Sequence, residues 1–371
     1  MPDDALTLFL CGDVMLGRGV DQILPHPGNP SLHERMVHDA RNYVDLAVSV
    51  NGQIPQPVDW SWPWGDALQL LEEAGCDARI INLETSITIS DDYAKGKAVH
   101  YRMNPDNTEA LTVVKPDVCV LANNHVLDFG QSGLLETLDV LSANGLLTAG
   151  AGRSLGEARA PAVVRIPRNG GRLLIFAFGS PTSGIPYGWA AAETRPGVCL
   201  LNTLSDAAAD ALCQRISDAR QPGDVAVESA HWGSNWGYHI EPEQVRFAHR
   251  LVDGGVDLVH GHSSHHPRPM EVYRKKLILY GCGDLVDDYE GISGHSEYRN
   301  DLRLLYLPKL DPTAGELAEL KMMPMHARQM RLHRASRNAA RWLCKVLDKV
   351  SRRFGSRIDL GPDGLLNLRT T

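Results

Sequence analysis

The chain has 371 residues, 43% of them hydrophobic and 22% charged, which is enough apolar material for a buried core and excludes global disorder. A formal net charge of -8 gives a nucleic-acid backbone no general attraction, so no nucleic-acid partner is expected. Acidic Asp3 and Asp4 stand where a secretory signal needs basic residues, and no run is apolar over bilayer length, so a cytoplasmic chain without a membrane span is expected.

The predicted elements follow one pattern along the chain. Residues 6–11 are a short apolar run ending in Gly12-Asp13, as in a buried strand that delivers a carboxylate at its C-terminal end. Residues 25–64 are rich in Pro, Asn, His and Trp and close on Asp59-Trp60-Ser61-Trp62-Pro63-Trp64, read as an insertion that covers a substrate, with surface packing as the alternative. Strand-then-polar junctions recur at residues 78–83 before Glu84 and at 118–122 before Asn123-Asn124-His125. Residues 133–144 have helical periodicity, and 182–198 form a second insertion with Pro-Tyr-Gly-Trp, a candidate lid. A strand at 225–230 precedes His231, and a helix spans 243–253. Strands at 256–259 and 276–280 then precede His260-Gly261-His262 and Gly281-Cys282-Gly283-Asp284.

Strand alternating with helix predicts an α/β fold with a mainly parallel core, and ligands gather beyond the carboxyl ends of such strands. From 326 onward the chain is basic, with Met330, Leu343, Val346, Leu347 and Val350 at helical spacing. The expected organisation is a catalytic domain over residues 1–325 and a basic helical extension over 326–371 packed on that domain. The seven cysteines are odd in number and scattered with no Cys-x-x-Cys pair, the pattern of reduced, buried thiols.

Metal ligation needs lone-pair donors delivered from separate rigid elements to one point. Five strand ends offer them: Asp13, Glu84, Asn124 with His125, His231, and His262 with His265. Each alone has a structural alternative, such as a cap, a salt bridge or a core histidine. Their joint order is harder to assign to packing.

The motifs Gly12-Asp13-Val14-Met15-Leu16-Gly17-Arg18, Asn82-Leu83-Glu84, Ala122-Asn123-Asn124-His125 with Asp128 and Gly130, His231-Trp232-Gly233, Gly261-His262-Ser263-Ser264-His265 and Tyr280-Gly281-Cys282-Gly283-Asp284 together resemble the CapA-like (capsule and poly-γ-glutamate synthesis) family, a branch of the calcineurin-like metallophosphoesterases. The resemblance covers about residues 6–310 and implies a four-layer αββα sandwich with loop insertions. It implies Asp13, Glu84, Asn124, His231, His262 and His265 as metal-site residues and His125 as a proton-handling side chain. Two departures stand out. Met15 occupies the place of a histidine in the wider phosphoesterase pattern, and Asn82-Leu83-Glu84 stands where that pattern has Gly-Asp-x-x-Asp. A two-metal clamp is thereby short of ligands, and one cation held by Asp13, Glu84 and Asn124 is expected. Oxygen donors favour Ca²⁺, Mg²⁺ or Mn²⁺, whereas a histidine-dominated shell favours Zn²⁺ or Mn²⁺.

One cation beside several imidazoles also suits epimerisation, in which one base removes a Cα proton and a second acid returns it from the other face. The candidate imidazoles are His125, His231, His265 and His295, with Asp13, Asp128, Asp284, Asp287 and Asp288 as orienting partners. Without an export signal, the chain resembles the peptide epimerases that accompany lasso-peptide precursors. That likeness implies a precursor peptide as substrate and inversion at its C-terminal tryptophan. Trp232 and Trp236 are then expected to wall an indole slot and Arg18 and Arg268 to hold a terminal carboxylate, core packing of the tryptophans being the alternative. Metal-dependent phosphoester hydrolysis and a non-catalytic part in capsule or polyglutamate assembly are the other two readings.

Overall fold

The computed structural model describes residues 5–166 and 170–370. Alternation along the strand Leu6–Val14 shows how its layers arise. Leu6, Leu8 and Leu10 point to one side, where they join Leu173, Ile175, Val225, Val227 and Leu258 of a second sheet. Phe9 and Cys11 point to the other, where they meet Leu71, Leu111 and Leu134 from the helices Asp66–Ala74, Glu109–Thr112 and Gly130–Ala143. The outer face of the second sheet does the same: Phe176, Ala226, Ala230 and Val259 pack on Leu212, Ile216, Phe247 and Leu251 of the helices Asp206–Ala219 and Pro242–Asp253. The result is helix, sheet, sheet, helix: the expected four-layer α/β sandwich.

Among the described residues the first sheet has ten strands and the second six. Leu6–Val14 lies mid-sheet, parallel to Ala78–Leu83 and antiparallel to Leu302–Leu310. In the second sheet, Arg172–Gly179, Val225–His231, Leu258–His262 and Lys276–Leu279 run parallel. All the strands expected from the sequence are present within a few residues of their predicted ends. The chain from 317 onward adds strands to the first sheet, Leu317–Ala327 running across the expected boundary at 325 and Ser356–Leu360 and Leu366–Thr370 forming one edge. Helix Arg337–Ser351 lies between them and buries Ala339, Leu343 and Leu347 against Ile358, Leu366 and the inter-sheet core. No helix among the described residues is long and apolar enough to cross a membrane.

The tryptophan-rich insertion is not a cover. Trp64 is fully buried and its indole N–H donates to the Ala110 carbonyl at 2.6 Å, while Trp62 donates to the Gln329 carbonyl at 2.9 Å. Tyr43, Val44, Ala47, Ile54 and Val58 of the same segment also belong to the helix-side core. A broken, aromatic stretch suits burial as well as it suits a lid, and here Trp62 and Trp64 turn inward onto backbone acceptors. Trp64→Ala should cost about 3–5 kcal/mol of unfolding free energy, read as a lower urea midpoint at unchanged slope.

Candidate metal centre

Two Gly-Asp pairs meet at the centre of the site. Asp13 and Asp284 are register partners in parallel pairing between Leu6–Val14 and Asp284–Val286. Gly12 has to be glycine, because a Cβ there would lie 1.7 Å from the Gly283 carbonyl oxygen. The register of Leu6–Val14 against Ala78–Leu83 also slips between Leu10 and Asp13, an irregularity that turns the carboxylate toward the sheet's end. An amide relay then spaces the acids. Asn82 Nδ2 donates to Asp13 Oδ1 at 2.8 Å and to Glu84 Oε2 at 3.0 Å, and Asn82 Oδ1 accepts from Asn123 Nδ2 at 3.0 Å. Asn123 Oδ1 in turn caps the turn through the backbone N–H groups of His125 and Val126.

The second sheet supplies imidazoles. His231 and His262 are register partners whose Nδ1 atoms lie 2.7 Å apart. A hydrogen-bond chain settles one tautomer. His260 Nε2 donates to the Cys11 carbonyl at 2.7 Å, so its Nδ1 accepts from Ser229 Oγ at 3.0 Å. Ser229 Oγ therefore accepts from His262 Nε2 at 3.0 Å, and His262 Nδ1 carries a bare lone pair. With the Asn124 amide oxygen facing its Nε2, His231 satisfies only one of its two neighbours. If its Nε2 donates to Asn124 Oδ1 at 3.0 Å, its own Nδ1 faces that of His262 lone pair to lone pair; if Nδ1 donates instead, Nε2 confronts Asn124 Oδ1 and, at 3.9 Å, Glu84 Oε1. A cation between the two sheets relieves either arrangement.

Two donor groups share one carboxylate. Asp13, His231 and His262 form the first and Asp13, His265 and Asp284 the second, each with ligand atoms within 4.8 Å of one another. Asp13 Oδ2 is buried and has no hydrogen-bond partner among the described residues. His265 Nδ1 lies 3.0 Å from Asp284 Oδ1, and its Nε2 accepts from Asn235 Nδ2 at 2.9 Å. These residues fit a divalent cation, with oxygen and nitrogen donors present together. Asp284 adds a carboxylate that the sequence reading did not count as a ligand, and the two candidate donor groups share Asp13.

The electrostatics agree. Burial, then the Asp284 charge, pushes the Asp13 carboxyl up to about 7. Burial, then Asp13, raises Glu84 well above its ordinary value. Burial also drives His231 and His262 well below theirs. Burial pulls His265 down as well, but the Asp284 carboxylate reverses this and leaves it raised. A bound cation would return the raised acids to their charged, ligating form, and the lowered His231 and His262 are already neutral, as ligation requires.

His125 stands beside this cluster. Its Nδ1 lies 2.6 Å from Asp128 Oδ2, which leaves Nε2 directed toward Glu84 Oε1 at 3.9 Å. Lys97 pairs with Asp128 Oδ1 and also bonds the Asn124 carbonyl. Burial, against the pull of Asp128, lowers His125 to about 4.

The structure thus brings Asp13, Glu84, Asn124, His125, Asp128, His231, His262 and His265 together. The expected substrate-binding residues are placed differently. Trp232 is fully buried among Phe178, Phe247 and Tyr280 and donates to the Tyr280 carbonyl, so it packs the core and walls no slot. Arg18 is buried and already paired with Asp288 at 2.8 Å and Glu34 at 3.1 Å; it lies over the Tyr101 ring, whose face meets the edge of His125. Arg268 is held by the rim loop through Nη2, which bonds Ser234 O, Ser234 Oγ and Trp236 O, while its Nε is buried without a partner among the described residues. Trp236 does sit at the rim, 5.2 Å from the His265 ring. His295 is exposed and stacks on Trp236 at 4.1 Å, so its contact with the cluster runs through that indole. Asp287 and Asp288 pair with Arg303 and Arg18 rather than with a histidine.

The relay role of Asn82, Lys97 and the ligand role of Asp284 are absent from the sequence reading. Gly283-Asp284 repeats Gly12-Asp13 at the end of an apolar run, a signal that was available; Lys97 lies in an irregular loop that carries none.

The chain is similar to several known proteins. A family profile described as "Bacterial capsule synthesis protein PGA_cap" matches residues 7–289. A Mycobacterium tuberculosis protein named "Probable polyglutamine synthesis accessory protein" is 53% identical over 367 residues, covering 98% of this chain and 96% of that protein. The Bacillus subtilis "PGA biosynthesis protein CapA" is 27% identical over 287 residues, covering 77% of this chain and 64% of its own. Among solved structures, a Thermus thermophilus protein aligns with TM-score 0.38 and 10% identity over 84% of this chain and 97% of its own.

Asp13→Ala and Asp284→Asn should each weaken divalent-metal binding by at least about 100-fold, whereas His295→Ala should leave it unchanged, as elemental analysis after dialysis will show. Because burial and the Asp284 charge push the Asp13 carboxyl up to about 7, protons should compete with the cation below that pH, and apparent affinity should fall about fivefold from pH 7 to 6 and toward tenfold per unit below that. Arg18→Met strands two buried acids and should destabilise the fold by about 3–5 kcal/mol in urea.

Proposed function

The chain belongs to the bacterial capsule synthesis protein PGA_cap family, and from that membership and the shared-carboxylate centre we propose that it is a metal-dependent hydrolase serving the assembly of a poly-amino-acid polymer. The observation that carries this reading is Asp13, one buried carboxylate common to two donor groups. A two-cation centre acidifies water and draws charge from the oxygens of a phosphoryl or acyl group. Asp13, Asp284 and His265 would hold one cation, and Asp13, His231 and His262, with Asn124 and Glu84 beside them, the other.

The protein's own groups do the rest. Asp128 holds the Nδ1 proton of His125, and Lys97 holds Asp128, so Nε2 is the atom that exchanges a proton with the substrate's reacting oxygen or nitrogen. Tyr101 meets that imidazole ring edge to face at 4.6 Å and limits its rotation. The substrate class follows the relatives' names: a glutamyl or glutaminyl polymer, or a phosphorylated precursor of one.

A second reading has one observation in its favour. His125–Asp128 and His265–Asp284 are separate His–Asp pairs, at 2.6 and 3.0 Å, which suits two-base inversion of a Cα centre in a precursor peptide's C-terminal residue, tryptophan in the lasso-peptide case. That reading asks His265 to carry protons rather than a cation.

Mn²⁺-loaded protein in D₂O should release p-nitrophenol from bis(p-nitrophenyl) phosphate or shorten glutamyl oligomers, and His125→Ala should slow either by about 10²–10⁴-fold. Deuterium entering a peptide Cα without cleavage would replace hydrolysis by epimerisation. Silence in both assays across Mn²⁺, Mg²⁺, Ca²⁺ and Zn²⁺ would leave an assembly role without turnover.

A further inference from the structure

The segment over residues 180–201 has two sides. One is tied to the metal centre: Ser183 Oγ donates to the His231 carbonyl at 3.0 Å, Thr182 Oγ1 accepts from the Gly233 N–H at 3.0 Å, and the Trp189 ring lies 4.8 Å from Lys97 Nζ. The other side begins at the next residue, Ala190, and walls a cavity of about 360 Å³ against the helices Leu155–Arg159 and Asp206–Ala219.

That volume is within the range of small-molecule sites, roughly 300–1,000 Å³. The half-buried Leu155, Leu200 and Leu201 give it apolar walls, and its two charged lining residues are both arginines, Arg159 and Arg215. Among the described residues neither guanidinium has a carboxylate partner; Arg215 Nη1 meets Cys199 Sγ at 3.8 Å. Glu228 lies nearby but does not pair with Arg215: both its oxygens are buried without hydrogen bonds, and burial, against the pull of Arg215, pushes its carboxyl up to about 8. In another cavity, of about 660 Å³ beside the helix Pro242–Asp253, Arg246 and Arg250 are paired with Asp206 and Asp210, and the remaining arginine, Arg353, bonds the Tyr238 carbonyl.

We infer that the cavity between residues 190–201 and the helix Asp206–Ala219 binds a small apolar carboxylate, its head group on Arg159 and Arg215 and its tail on Leu155, Leu200 and Leu201. Guanidinium forks match a carboxylate two bonds to two, and apolar walls favour a ligand with a hydrocarbon body over a hydrated inorganic anion. Because Trp189 and Ala190 are adjacent, an occupant would stiffen the strip that carries Trp189 over Lys97. The site stands whether or not the reaction proposed above is the right one.

Isothermal titration of the full chain with octanoate and with 1-octanol tests it. Octanoate should bind at one site per chain, at least about tenfold more tightly than 1-octanol. Arg215→Met should erase that preference, and Ala208→Trp, which fills the cavity from the helix, should remove both ligands. Melting temperature and metal content serve as folding controls. Should Arg215→Met misfold, Arg215→Lys takes its place and should keep a preference for octanoate. Equal affinity for acid and alcohol, octanoate binding unmoved by Ala208→Trp, or no saturable heat from the wild-type chain would overturn the assignment.

Discussion

The site depends on crowded lone pairs between two sheets. His262 Nδ1 is bare because a relay from the Cys11 carbonyl through His260 and Ser229 leaves it no proton, and with the Asn124 amide oxygen facing its Nε2, His231 can satisfy one neighbour only by confronting another. Such an arrangement is costly in a buried place unless positive charge sits within it. One wall of the relay is a backbone carbonyl of the first sheet and the other is a side chain of the second. The imidazole tautomer is therefore a property of how the sheets stack, not of any one loop.

Much of this was legible in the sequence, for a physical reason. Apolar runs ending in Asp, Asn or His mark strands whose last residue leaves the core, and five such ends must converge when the strands are parallel. Asp284 was read as an orienting partner although it repeats the Gly-Asp of Asp13, because pairing of the two strands is a long-range fact. Trp232 was open to a better reading: it follows His231 directly, and neighbours on an extended strand face opposite sides. If His231 turns toward the ions, Trp232 has to turn toward the helices, where the structure places it.

The arginines show the limit of reading charge from sequence. Arg18 and Arg268 were expected to meet a substrate carboxylate, yet both are consumed in holding the walls. Arg18 acts at a remove, bracing Tyr101, which in turn lies against His125. A buried guanidinium with five donors is suited to such bracing, and no local pattern distinguishes it from one left free for a ligand. Lys97 is the converse case, a loop residue without periodicity that reaches the Asp128 carboxylate.

The contact of Gly12 with the Gly283 carbonyl has a consequence for how such a centre tolerates change. The gap between the two aspartates is dictated by main chain touching main chain, with no side chain in between to yield. A single methyl group at position 12 would wedge the strands apart and spoil the ion cradle while every liganding group stayed in place. Alanine scanning confined to acids and imidazoles would overlook the residue that sets the gauge.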